Sequence, residues 1–202
     1  MVVGLTGGIG TGKSTALRIF SKMGADVMSA DEVAREIVKK GESAYNEIID
    51  VFGETILDEN KEVDRKALAK IVFSDVSARK KLEDITHPKI MKKMMDFAES
   101  YRKNKKNSSR IAILEIPLLY ECKFDVQVEK VIVVSSEQET SIGRLTKERG
   151  LSDEDVKARI NSQMPIEQKE DMADFVIKNN GSLEKLESEV SIVWGKLLEM
   201  VG

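Results

Sequence analysis

At 202 residues, 41% of them hydrophobic and 33% charged with only 3 prolines, the chain is long enough for one domain with a sizeable core, too short for two ordinary ones, and unlike disordered or collagen-like sequences. Thirty-two Lys and Arg against 35 Asp and Glu leave a net charge of -3, which argues against a general nucleic-acid-binding surface and toward small anionic ligands. One cysteine, Cys122, and one histidine, His87, leave no intrachain disulfide, Cys/His zinc site or credible Ser-His-Asp triad; with no apolar run near the ~18 residues of a membrane helix and no signal-like N-terminus, a cytoplasmic protein is expected.

The first apolar run, Val2-Val3-Gly4-Leu5, is unalternated, as a strand covered on both faces tends to be. A helix is expected over Lys13 to Lys22, then a short strand at Asp26-Val27-Met28. From about 32 to 110 the chain reads as helix after helix. Within it, Asp50-Val51-Phe52-Gly53 has D-x-x-G spacing but follows a helical pattern, so it reads as a helix end. Pro88 is placed to open a helix, with Thr86 or His87 as its cap, and Ile90, Met94, Phe97, Ala98 and Tyr101 then recur at spacings of three and four. Residues 102–109 read as a solvated loop. It returns the chain to strands at Ile111 to Ile116 and Val131 to Val134. Residues 137–163 form a Lys/Arg-rich helical pair divided at Gly150-Leu151-Ser152, and Phe175-Val176-Ile177 is the last strand. Strands alternating with helices predict an α/β fold, a parallel five-stranded sheet flanked by helices. No repeat or linker divides the chain. It reads as a single domain over 1–202 with a helical insertion at about 32–110 and a helical lid at about 137–165.

Directly after the first strand, Gly7-Gly8-Ile9-Gly10-Thr11-Gly12-Lys13-Ser14 satisfies G-x-x-x-x-G-K-[ST] and leads into a helix, the signature of a P-loop NTPase fold. Glycines let successive N–H groups turn toward phosphate oxygens, and the helix N-terminus adds the positive end of its dipole. Lys13 can reach the terminal phosphates, and the Ser14 hydroxyl suits Mg²⁺. The expected ATP contacts are Gly8, Ile9, Gly10, Thr11, Gly12, Lys13, Ser14 and Thr15. A dinucleotide fingerprint fails, because its third glycine would fall where Lys13 stands. A GTPase lacks its base reader, since Asn104-Lys105-Lys106-Asn107 has no Asp.

Two carboxylates and three arginines further along the chain fit phosphoryl transfer. Asp31 follows the second strand, where it can take the proton of an acceptor hydroxyl or simply cap the helix beginning at Glu32. Glu115 closes its strand where Walker-type carboxylates hold Mg²⁺, or is a plain surface carboxylate. Arg144, with Arg149 and Arg159, can clamp phosphates beneath a closing lid or cover a solvated helix face.

With these residues the chain resembles the dephospho-CoA kinase family. The match runs from about Gly4 to Gly181 and includes Ala30-Asp31, Asp64-Arg65 with Leu68, Thr86-His87-Pro88, Pro117-Leu118-Leu119-Tyr120-Glu121, Arg159-Ile160 to Gln163, Ala173-Asp174-Phe175-Val176-Ile177 and Asn179-Asn180-Gly181. The resemblance implies transfer of the ATP γ-phosphoryl group to the ribose 3′-hydroxyl of dephospho-CoA, with ATP and Mg²⁺ as cofactors and no nucleic-acid or membrane partner. It makes Asp31 the base, with Lys13 and Arg144 on the migrating phosphoryl group. It puts Arg65, His87, Pro117 and Leu118 at the acceptor, and Asn179 to Gly181 near the adenine. The alternative is a nucleoside monophosphate kinase or another P-loop small-molecule kinase; a nucleotide-binding switch is a different class. Two departures stand out: the family usually shows Asp-Ala-Asp where this chain has Ser29-Ala30-Asp31, and its second lid arginine falls at Glu148, one place before Arg149.

Overall fold

A computed structural model describes residues 1–103, 110–149 and 152–202. Of the expected loop at 102–109, Arg102 and Lys103 are instead the end of a helix, and 104–109 lie outside the described residues, as do Gly150-Leu151 of the expected divide and the Arg149 side chain. In chain order the elements are β1 (Val2–Gly7), α1 (Lys13–Lys22), β2 (Asp26–Ser29), α2 (Ala30–Glu36), α3 (Tyr45–Phe52), α4 (Arg65–Ser74), α5 (Val76–Lys103), β3 (Ala112–Glu115), β4 (Lys130–Ser135), α6 (Gln138–Arg149), α7 (Asp153–Asn161), α8 (Ile166–Asp171), β5 (Phe175–Lys178) and α9 (Leu183–Val201). They divide into two compact units, Met1–Ser29 with Ala98–Gly202, and Ala30–Phe97.

In the first unit all five expected strands form one parallel sheet in the order β2-β3-β1-β4-β5. The unalternated runs are explained by burial: every residue of β1 and β3 is buried. Val3, Leu5, Ile113, Ile132 and Val134 join Phe20 of α1 and Val190, Val193 and Leu197 of α9 in one core, where the Phe20 and Trp194 rings sit 6.2 Å apart. Gly4 points to the opposite face from Val3 and Leu5, because side chains alternate along a strand. A Cβ there would lie 2.4 Å from Leu119 Cδ1, so the missing side chain is what lets Leu119 seat against β1. After β3 the chain crosses β1 to reach β4. The β1 carboxyl end therefore lies at the point where strand order reverses, which is where open α/β sheets bind ligands.

The second unit is helical. Asp64 caps α4 by accepting from the Lys66 and Ala67 N–H groups at 2.8 and 3.2 Å. A short bridge pairs Leu57 with Val63, and the Tyr45 hydroxyl donates to the Lys61 carbonyl. Ile37, Ile48, Ile56 and Met94 are fully buried. The D-x-x-G string is a helix end, as expected: α3 stops at Phe52 and Gly53 follows at φ +77. The expectation for Pro88 is overturned. Pro88 lies inside α5, twelve residues after its start at Val76, so neither Thr86 nor His87 is a cap. Thr86 Oγ1 instead donates back to the Leu82 carbonyl at 2.8 Å. A proline removes one helical hydrogen bond, and 28 residues of helix hold the backbone on either side of the gap. Among the described residues no helix is long and apolar enough to cross a membrane.

Candidate active site

The loop between β1 and α1 has a backbone only glycine can follow. Gly7, Gly10 and Gly12 have φ of +147, +76 and +92. A Cβ on Gly7 would meet the Val134 carbonyl at 2.0 Å, and one on Gly12 would meet Asn179 Nδ2 at 2.3 Å. Gly12, at the cap position of α1, makes no side-chain cap hydrogen bond, since it has no side chain to offer. Thr11, buried, ties the loop to itself through Oγ1 to the Gly8 carbonyl at 2.9 Å. The Lys13 ammonium is held across the loop by the Gly8 and Gly7 carbonyls at 2.7 and 3.1 Å. Ile9 is half-buried on the same loop, and the Thr15 N–H donates to the Gly12 carbonyl as α1 begins.

Glu115 is not a surface carboxylate. It is 2% exposed, and its Oε1 accepts from Ser14 Oγ at 2.9 Å. A hydroxyl and a carboxylate side by side at the mouth of the loop are hard oxygen donors of the kind Mg²⁺ takes when phosphates supply its other ligands. Among the described residues there is no cluster of three or more His, Cys, Asp or Glu that could hold a metal, so the pair fits an ion arriving with a nucleotide better than a dedicated metal cage. Ser29, where the resemblance expects a first carboxylate, is buried on β2 and lies in register with Glu115 on β3.

A second set of side chains closes the other end of the loop. Asn179, buried at the end of β5, donates from Nδ2 to the Thr11 carbonyl at 2.8 Å. Arg144 Nη2 donates to Asn179 O at 3.1 Å and to Asn179 Oδ1 at 3.3 Å, while its Nη1 is buried with no hydrogen-bond partner among the described residues. The adjoining Asn180 exchanges two hydrogen bonds with Glu137, and Gly181 is exposed beside Lys185. Helix α6 packs directly on the loop: a Cβ on Gly10 would lie 3.0 Å from Leu145. Pro117 and Leu118 follow β3, with the Pro117 carbonyl accepting from Thr6 Oγ1 at 3.0 Å and Leu118 outward.

The structure thus brings Lys13, Ser14, Glu115, Thr11, Asn179 and Arg144 to one loop. Of the remaining expected residues, Arg159 is half-buried on α7 in the first unit, and Asp31, Arg65 and His87 belong to the second. Asp31 is exposed in the first turn of α2, which starts at Ala30 and not at Glu32, so it lies within the helix instead of capping it. Arg65 is exposed at the start of α4, directly after its Asp64 cap. His87 is exposed midway along α5, which removes the capping reading of that residue.

Residues 1–185 match the family model described as dephospho-CoA kinase. The chain belongs to the dephospho-CoA kinase family. A relative of that name from Geobacter sulfurreducens is 42% identical over 196 residues, covering 96% of this chain and 98% of its own length. The solved dephospho-CoA kinase of Campylobacter jejuni is 34% identical with a TM-score of 0.70, covering 96% of each chain. A shikimate kinase from Bacteroides thetaiotaomicron, 16% identical with a TM-score of 0.53 over 98% of each chain, shares the fold alone. Membership makes this chain a kinase with a P-loop fold and sets aside the nucleotide-switch and GTPase readings.

Sequence reasoning missed Lys169 and did not single out Thr6. Lys169 is flanked by Glu167, Gln168, Glu170 and Asp171, which read as a solvated helix. It is nonetheless 0% exposed, and nothing in its local sequence signals that.

Proposed function

We propose that this kinase moves the γ-phosphoryl group of Mg·ATP to the ribose 3′-hydroxyl of dephospho-CoA, giving coenzyme A and ADP. The family reaction, phosphorylation of dephospho-CoA with ATP, supplies the acceptor. The nucleotide half is carried by the glycine loop, with Lys13 held across it and the Ser14 and Glu115 oxygens together at its mouth. Gly8 to Thr15 cradle the phosphates, and Asn179 with Gly181 border the adenine. Ser14 and Glu115 would hold Mg²⁺, which when bound neutralises charge on the phosphate oxygens. Lys13 and Arg144 hold the phosphoryl group in line and offset charge that builds on its oxygens. The buried, unpartnered Nη1 of Arg144 supports that role, since a buried donor without an acceptor is costly and a phosphate oxygen would satisfy it.

On the acceptor side, Asp31 takes the proton of the 3′-hydroxyl, while Arg65, His87, Pro117 and Leu118 hold the substrate. The segment 32–110 serves as the acceptor-binding insertion and 137–165 as the lid. The reading includes a cytoplasmic enzyme acting on small molecules without nucleic acid.

The test is to supply Mg·ATP with dephospho-CoA, AMP, CMP, UMP or no acceptor and follow ADP. Rapid turnover with dephospho-CoA and none with the monophosphates is expected. Stimulation by a nucleoside monophosphate alone would move the enzyme to the nucleoside monophosphate kinase class, and turnover indifferent to every acceptor would overturn the reading.

A further inference from the structure

Lys169, on α8, is the one fully buried lysine among the described residues, and its ammonium meets two oxygens of a single turn: Glu121 Oε1 at 2.8 Å and the Pro117 carbonyl at 3.1 Å. The same Pro117 carbonyl accepts from Thr6 Oγ1 at 3.0 Å, one residue before the loop glycine Gly7. Glu121 Oε1 also accepts the Met164 N–H at 3.0 Å, on the segment that leads from α7 into α8. The ammonium, the carboxylate and the Pro117 carbonyl therefore together join three stretches of chain: the end of β1, the turn after β3, and the approach to α8. Within that turn Leu119 is fully buried against Gly4, whereas Leu118 is 38% exposed.

Stability is a poor explanation for this arrangement. Removing an ammonium from water costs several kcal/mol, and well-packed apolar replacements of buried ion pairs are often neutral or stabilising. What the pair does provide is a fixed place for the backbone of Pro117, because a carbonyl holding two donors from different segments cannot shift without breaking one of them.

We propose that Lys169 is a positioning residue for the acceptor. Through the Pro117 carbonyl and Glu121 it sets where Pro117 and Leu118 stand relative to the strand end from which the phosphate loop springs. This rests on the reading of Pro117 and Leu118 as part of the acceptor site.

Lys169→Met, close in length and unable to donate, and Glu121→Gln separate this from a structural role. In Lys169→Met the KM for dephospho-CoA should rise about tenfold or more, as small misplacements of a substrate-holding group do, while the KM for ATP stays within about threefold. Glu121→Gln should move the acceptor KM in the same direction, and the double variant should be no worse than Lys169→Met alone, because both act through one linkage. An unchanged acceptor KM in folded Lys169→Met, or equal changes for both substrates, would overturn the proposal. Should Lys169→Met not fold, an unchanged acceptor KM in Glu121→Gln overturns it. A wild-type enzyme that does not phosphorylate dephospho-CoA overturns the functional reading and this proposal together, whereas a variant without effect overturns the proposal alone.

Discussion

Gly12 carries two demands at one position: a left-handed backbone at φ +92, and room for the Asn179 amide that binds the preceding carbonyl. Gly12→Ala would place a methyl group 2.3 Å from Nδ2 in a conformation L-residues avoid. We expect a loss of about 1–3 kcal/mol, read as a lower Tm, together with a higher KM for ATP. A melting curve that overlays the wild type would show that the loop tolerates a side chain there. Asp31 makes a different kind of prediction. It is exposed and its side chain has no hydrogen bond among the described residues that would be lost, so Asp31→Asn should leave the fold intact. If it is the base, kcat falls by about 10² to 10⁴ with little change in ATP binding, the usual cost of a missing general base. Turnover close to wild type would remove the assignment.

Among the elements, α5 and α6 depart most from what local patterns suggest. A proline at position 88 leaves the Asp84 carbonyl without its helical donor, yet the helix continues to Lys103. Pro88→Ala restores the donor and a better helix former, and should stabilise the protein by up to about 3 kcal/mol. A fall in Tm would mean that the interrupted turn is itself required. Helix α6 is expected to be part of a lid, but the stretch from Glu137 to Leu145 is tied down by the Asn180 exchange with Glu137, by Arg144 on Asn179 and by Leu145 against Gly10. Any closing motion would have to hinge beyond Leu145, since the earlier turns are packed against the phosphate loop and move only with it.

For the whole molecule, pH reports on how the first unit is held together. Burial, and then the charges of Asp125 and Asp174, push the Tyr120 hydroxyl up to about 12, and it has no hydrogen-bond partner among the described residues. A folded value above the ordinary 10.0 means that this group's contribution is intact below pH 10 and is lost as pH rises toward 12. Tyr120→Phe should therefore lose less stability over that range than wild type and be about 1 kcal/mol more stable at neutral pH, because no unsatisfied hydroxyl is buried. Parallel pH-dependent melts of the two proteins check both. On the acid side, burial pushes the Glu121 and Glu170 carboxyls up, but hydrogen bonds outweigh it, from Lys169 and the Met164 N–H to Glu121 and from Lys178 to Glu170. Both end below 4.5, so their contribution is present above that pH and fades as pH falls through the lower folded values.

The same distinction separates what could be read from the chain from what could not. Strand runs, the helix at Lys13 to Lys22, the glycine loop and the family strings are local patterns, and the backbone expresses them wherever the chain goes. The sequence by itself therefore determined the α/β class, the phosphate loop and the family. It also misled where two local rules compete: proline opens helices and interrupts them, and only the packing of α5 chose between these at Pro88. Meetings across the sheet were beyond it. Ser14 and Glu115 are 101 residues apart, and Thr11 and Asn179 are 168 apart. Their contacts depend on strand order and register, which bring separate carboxyl ends to one edge of the sheet. Tertiary structure alone turned Glu115 from a surface carboxylate into a partner of Ser14. It also buried Lys169 in a stretch that reads as solvated, because a lysine's burial is decided by whether folding brings a carboxylate and a carbonyl to meet it.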